Sequence, residues 1–498
     1  MTATPPGPLA DTAAGTVLGI EGEGDGEGVR IFRGIPYARA PFGAYRFLPP
    51  VPPEPWTGPR EATRFGPSAP QPSPEGGIDL LPRPTAHGED CLTVNVWAPA
   101  SAHRAPVMVF LHGGAFVSGG SSLPLYDGTA FARDGVVLVT LNYRLGVDGF
   151  AWTGEGTPNL GLLDQVAALE WVRDNIAAFG GDPDRVTIFG ESAGAMSVGA
   201  LMAMPRAAGL FRRAIAQSGA GDSAIPPEDA LRVARRLGEL LGVPATREGF
   251  AAVPLEALLR AQTAVSTEIS RGLSVRRWGE IARNVMPFEP VIDGEILPEL
   301  PRDAIAKGVS HDIDLLIGTN AQEANLFFVP GGASRRFSAL TAWLVARRYG
   351  ARARRVRRFY REQGATSGEE LTLRVFTDAF YRIPALRVAR SHPRSHVYEF
   401  SWPSPGYEGA LGACHGLELP FVFDTVDKPG FEALLGDAPP ASLASAMHDA
   451  WVSFARSGDP GWPRYTPSAP LIMRFDAESV VVEDTRDHAV AWGVLDRS

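Results

Sequence analysis

Of 498 residues, only Cys91 and Cys414 are cysteine and only Lys307 and Lys428 are lysine. Two thiols cannot build a disulfide framework, so the fold must rest on its hydrophobic core. Arginine is the default cation of this chain. No apolar run is long enough to cross a bilayer, and the opening stretch MTATPPGPLADTAAG has neither a charged n-region nor an apolar h-region. Cys-x-x-Cys pairs are absent and no glycine-rich phosphate loop follows a strand, so neither a metal nor a cofactor is expected. An excess of positive charge is missing as well. The net charge of −9 argues against nucleic acid or an anionic membrane as partner. Arginines do crowd at 347, 348, 352, 354, 355, 357, 358 and 361, and this segment reads as a solvated helix.

What is present is apolar and strongly patterned. An apolar fraction of 45% is ample for a large core. Buried-type strands alternate with amphipathic helices, which predicts a mostly parallel sheet with helices on both faces. Leu162, Val166, Leu169, Val172 and Ile176 make one helical stripe of that core. The most informative stretch is FGGDPDRVTIFGESAGA, residues 179–195. Val186, Ile188 and Phe189 supply a buried strand that runs into Gly190-Glu191-Ser192-Ala193-Gly194, the spacing of a nucleophile elbow. Gly190 and Gly194 leave room for strand and helix to approach, while Ser192 projects into a cleft. Small residues at 193, 195, 199 and 200 then allow a helix to pack close, its positive end beneath the reacting oxygen.

Acyl transfer also needs fixed N–H donors where negative charge develops. Val107 to Leu111 reads as a buried strand ending in His112-Gly113-Gly114-Ala115-Phe116, a loop whose lack of bulk lets its amides point at a ligand. Pattern alone leaves nine histidines to serve as base.

These two segments, with Gly34 to Ala38, Arg46-Phe47, Glu89 to Trp97 containing Glu-Asp-Cys-Leu, Asn142 to Gly146, Gly161 to Gln165 and Trp462-Pro463, make the chain resemble the type-B carboxylesterases. That family includes bacterial para-nitrobenzyl esterases and the cholinesterases, and the resemblance spans nearly the whole chain. It implies an α/β-hydrolase fold with insertions capping an active-site gorge. It also implies a triad of Ser192, Glu323 and His415, in the chain order expected of this fold. The oxyanion donors it implies are the amides of Gly114, Ala115 and Ala193. Gly113 gives the loop clearance, His112 orients it, and Ser218 supports the acid by hydrogen bonding. Glu191 is read as structural, its side chain directed away from Ser192. Arg46 with Glu89, and Arg144 with Asp164, match buried ion pairs. In secreted relatives the Glu-Asp-Cys-Leu cysteine is bridged to one in a Gly-Pro-x-Cys-x-Gln segment. Here Ala69 stands at that place, and two unpaired thiols fit the cytoplasm.

The expectation is therefore one α/β-hydrolase domain over residues 12–498, with insertions near 60–90, 220–290 and 325–390 and a flexible stretch 1–11. Its activity is that of a serine carboxylic-ester hydrolase working through an acyl-enzyme on small to medium, fairly apolar esters. Phe116, Phe288 and Phe327 are candidates for lining the pocket. Cleavage of carbamates, amides, thioesters or longer lipid esters uses the same groups, and some relatives keep the fold as non-catalytic binding proteins. Residues 69–91 contain no tryptophan to hold a choline cation. The partner expected is a small-molecule ester, with neither nucleic acid nor membrane.

Overall fold

The protein is described by a computed structural model for residues 7–72, 80, 82–84, 86–272, 274–484 and 486–493. Strands β1 (Leu9–Thr12), β2 (Gly15–Leu18) and β5 (Arg60–Glu61) form a small sheet. Leu9 to Asp11, expected in a flexible terminus, are thus paired with the neighbouring strand, while residues 1–6 of that stretch lie outside the described residues.

Eleven strands form the main sheet. They are β3 (Ile20–Glu21), β4 (Val29–Pro36), β6 (Thr93–Pro99), β7 (Ala105–Leu111), β8 (Val137–Leu141), β9 (Gly181–Glu191), β10 (Arg213–Gln217), β11 (Asp314–Asn320), β12 (Ser395–Phe400), β13 (Leu471–Phe475) and β14 (Val480–Glu483). Their spatial order is β14-β13-β12-β11-β10-β9-β7-β8-β6-β4-β3. Pairing is parallel from β8 across to β13 and antiparallel at both margins.

Strand alternation divides the core into two layers. On β7, Val107, Val109 and Leu111 join one cluster, and Met108 and Phe110 the other. Successive side chains of a strand point to opposite faces, so a strand covered on both sides reads as one continuous apolar run. The stripe Leu162, Val166, Leu169, Val172 and Ile176 packs on the first face, four of its members within the helix Leu160–Asn175 and Ile176 opening the turn that follows. The second face is covered by the helix Ala441–Ser457. The helix Ala193–Ala203 is buried along its whole length, which its run of small residues permits.

Insertions between sheet strands are helical. Pro227–Leu241 and Leu255–Arg271 occupy the 220–290 region. Ala339–Arg348, Ala353–Glu362 and Gly368–Thr377 occupy the 325–390 region, followed by a π-helical turn over Asp378–Arg382. Of the insertion expected near 60–90, residues 73–79, 81 and 85 lie outside the described residues. Two ion pairs brace the core. Arg144 meets Asp164 through Nε at 2.8 Å and Nη2 at 2.7 Å, and the Arg144 amide donates to the same carboxylate at 3.0 Å. Arg46 differs from expectation, because its partner is Asp148 at 2.8 Å, whereas Glu89 is exposed. Asp148 lies on the short helix Gly146–Phe150, which begins just after Arg144.

Candidate active site

Ser192 stands between β9 and the helix Ala193–Ala203, at φ 56° and ψ −123°. A serine at positive φ is strained by roughly 1–3 kcal/mol and persists only where its surroundings over-determine it. Here its amide donates to the Gln217 carbonyl of β10 at 2.9 Å, and its carbonyl accepts from Met196 at 2.9 Å. The flanking glycines have no alternative. A Cβ on Gly194 would lie 1.9 Å from the Leu111 carbonyl oxygen, and one on Gly190 would lie 2.5 Å from the Gly194 backbone.

The loop after β7 closes over this corner. Gly114, Ala115 and Phe116 all have positive φ, so three successive residues turn the chain sharply. Val117 and Ser118 donate back to the Gly114 carbonyl at 3.0 Å. A Cβ on Gly113 would sit 2.8 Å from Glu191 Oε2 and 3.1 Å from Ser192 Cβ, so the loop lies directly against the serine turn. His112 is stacked on Tyr143, with ring centroids 4.5 Å apart, and its Nδ1 is 2.8 Å from the Gly113 carbonyl. Burial pushes its imidazole down to about 4, against the pull of the Gly113 contact, so it is neutral. Its own carbonyl accepts from the Tyr143 hydroxyl at 2.8 Å.

Glu323 follows β11 and His415 follows β12, and the two meet. His415 Nδ1 is 2.7 Å from Glu323 Oε2, and both residues are buried. Glu323 Oε1 accepts the Asn320 amide at 2.7 Å. The second ring nitrogen of His415 faces a carboxylate rather than a hydroxyl. Nε2 lies 3.0 Å from Glu191 Oε1, without hydrogen-bond alignment. Glu191 is thus buried in the fold with its carboxylate turned toward the histidine. No hydrogen bond between Ser192 and His415 occurs among the described residues.

A third buried carboxylate, Glu418, completes the cluster. It accepts from Gln217 Nε2 at 3.2 Å and from Asn320 Nδ2 at 2.6 Å. Asn320 Nδ2 also reaches the Cys414 carbonyl at 2.7 Å, and Gln217 Oε1 accepts from the Trp451 indole at 3.0 Å. Burial disfavours a cation on His415, but Glu191, then Glu323 and Glu418, outweigh it and push the imidazole up to about 9. Burial also raises Glu191 and Glu418, reinforced by the neighbouring carboxylates. Sequence reasoning missed Asn320, Glu418 and Gln217. The one available signal was Glu418, three residues beyond His415 in an otherwise apolar segment.

Other expected residues fall differently. Ser218 is buried, but its hydroxyl makes no hydrogen bond to Glu323 or to any other described residue. Its amide instead ties β10 to the Gly318 carbonyl of β11. Phe116 and Phe288 are completely buried in the core and offer a substrate no surface; the Phe116 ring packs on Phe150 at 4.7 Å. Phe327 is 46% exposed, and its ring centroid is 5.1 Å from that of His415. Tyr381, which was not anticipated, lies 4.8 Å from the same imidazole. One His-x-x-x-His spacing exists, His392 with His396, but Nε2 of the first faces the Ser310 carbonyl and Nδ1 of the second that of Trp462. No group of three or more His, Cys, Asp and Glu residues is placed to hold a metal ion among the described residues.

The sequence profile of the carboxylesterase family matches residues 6–492. The para-nitrobenzyl esterase of Bacillus subtilis (strain 168) is 39% identical over 92% of this chain and 93% of its own length. Phenmedipham hydrolase of Pseudarthrobacter oxydans is 36% identical over 95% and 96%. A crystal structure of a Geobacillus stearothermophilus carboxylesterase superposes with a TM-score of 0.84 at 39% identity, covering 97% of this chain and 99% of that one.

Proposed function

The chain belongs to the carboxylesterase family and is a serine ester hydrolase, and from that premise we propose that Ser192 is its nucleophile, His415 its general base and Glu323 the acid that orients the base. The observation that carries the assignment is the buried 2.7 Å contact between Glu323 and His415 beside the strained serine turn. Neutral His415 takes the Ser192 proton through Nε2 as the hydroxyl attacks the ester carbonyl, then returns it to the leaving alcohol. This requires Nε2 to exchange Glu191 for the Ser192 hydroxyl. Glu323 keeps Nδ1 protonated and stabilises the imidazolium.

The oxyanion is held by the amides of Gly114, Ala115 and Ala193. In support, none of the three donates a hydrogen bond to another described residue, and the Ala193 amide opens a helix, where backbone donors are free and the dipole favours negative charge. His112 and Gly113 shape this loop. Phe327 and Tyr381 give the site an aromatic wall, which suits small to medium, fairly apolar esters. Buried, free Cys91 and Cys414 suit the cytoplasm, and no helix among the described residues is long and apolar enough to cross a membrane.

Fluorophosphonate labelling tests the nucleophile. The wild type should be labelled at Ser192, and Ser192→Ala should escape labelling and lose turnover of p-nitrophenyl acetate, down to at most the roughly 10³–10⁴-fold background of binding and oxyanion stabilisation. A mutant as fast as its parent would overturn the assignment.

A further inference from the structure

Charge in this molecule is distributed very unevenly. Residues 335–363 hold ten arginines against a single carboxylate, Glu362, in a chain whose net charge is −9. The structure folds this segment into the two packed helices Ala339–Arg348 and Ala353–Glu362. On the second, Ala353, Val356, Phe359 and Tyr360 are buried, which leaves Arg354, Arg357, Arg358 and Arg361 along the exposed face at helical spacing. Among the described residues, Arg358 alone of the ten has an ion-pair partner, Glu362 at 3.6 Å.

The first helix adds a different chemistry. Ala342, Val345 and Ala346 face inward, and Leu340 and Leu344, one turn apart, are 63% and 53% exposed. Arg347 continues their stripe one turn further on and is exposed as well. Two large apolar side chains and a guanidinium thus share one open stripe of the first helix, beside a second helix whose open face is arginine. A polyanion such as nucleic acid would satisfy the arginines and gain nothing from the leucines. An anionic bilayer surface satisfies both, the leucines entering the headgroup boundary and the guanidinium groups meeting phosphates.

A run of ring contacts leads from the patch to the proposed site. Ser338 caps the first helix, and Phe337 before it packs on Phe328 at 5.1 Å. Phe327, the adjacent residue, lies 5.1 Å from His415. We propose that the exposed face of these two helices docks the enzyme reversibly on anionic lipid membrane surfaces. A net negative charge argues against such a partner only when it is spread evenly. Here the negative remainder of the molecule would be repelled, and the docking face oriented toward the lipid.

Vesicle flotation of the full chain tests this. With phosphatidylglycerol–phosphatidylcholine vesicles at low ionic strength the protein should float, and high salt or pure phosphatidylcholine should release it. Each arginine neutralised should weaken affinity roughly fivefold, so Arg354→Gln/Arg357→Gln/Arg358→Gln should lose roughly a hundredfold. Leu340→Ser/Leu344→Ser should bind more weakly than the wild type, and both variants should hydrolyse p-nitrophenyl acetate like their parent. Ser192→Ala should float unchanged, so failure of docking and failure of the catalytic assignment are separable. The proposal is overturned if the wild type does not float with anionic vesicles, or if the arginine variant floats as well as the wild type. It is equally overturned if the leucine change abolishes only self-association, or if RNA binds more tightly than vesicles and is indifferent to the leucines.

Discussion

Three carboxylates, Glu191 first among them, hold the His415 imidazole above its ordinary range. The imidazole can act as a base only when neutral, and its neighbours push it up to about 9, led among the carboxylates by Glu191 at 3.0 Å. Activity should therefore rise with pH, and the midpoint of the kcat/KM profile should fall above the ordinary histidine value near ~6.5. Glu191→Gln removes one negative charge from beside the cation, so the midpoint should move toward acid while Ser192 remains reactive to fluorophosphonate. An unmoved midpoint would show that this carboxylate does not hold the imidazolium. None of this was readable from sequence. The direction of Glu191 depends on where the loop carrying His415 returns, over two hundred residues later, and adjacency to Ser192 says nothing about it. Ser218 failed for a similar reason, since its amide bonds the Gly318 carbonyl of the neighbouring strand while its hydroxyl has no partner among the described residues.

At the level of elements, the strand-turn-helix corner and the glycine loop were legible because their causes are local. Only glycine fits where a Cβ would strike the Leu111 carbonyl, and only a run such as Val107 to Leu111 survives burial on both faces. Ion pairs joining separate elements were half legible. Arg144 and Asp164 met as expected, but Arg46 reached Asp148 because the short helix Gly146–Phe150 brings that carboxylate beneath it. The Arg144 clamp yields a direct prediction. Asp164→Asn leaves a guanidinium uncompensated in the core and should lower unfolding stability by about 3–5 kcal/mol in urea titration. A loss below about 1 kcal/mol, the scale of an exposed pair, would mean that solvent reaches the site. Phe116 shows the limit of element-level reading, because successive positive φ values at Ala115 and Phe116 swing its ring into the core.

For the whole molecule, the doubly covered sheet was legible from the alternation of apolar strands and helices, whereas the strand order and the arrangement of insertions were not. Those follow from long-range pairing that no local window contains. Stability at this scale owes nothing to covalent cross-links. Cys91 and Cys414 are both buried and free, and burial pushes both thiols up, Cys414 to about 12. The native enzyme should thus react negligibly with a disulfide reagent, release two thiols on denaturation, and show the same Tm with or without reductant. A reductant-dependent Tm would contradict this picture.

The hydrogen bond from Trp451 to Gln217 has a consequence for biosynthesis. Gln217 lies on the strand whose carbonyl anchors the serine turn, yet its partner is translated more than two hundred residues afterwards, later even than the histidine. A nascent chain therefore carries Ser192 more than two hundred residues before the indole that holds the Gln217 side chain has been made, so the strand behind the serine turn waits for a segment synthesised long after it.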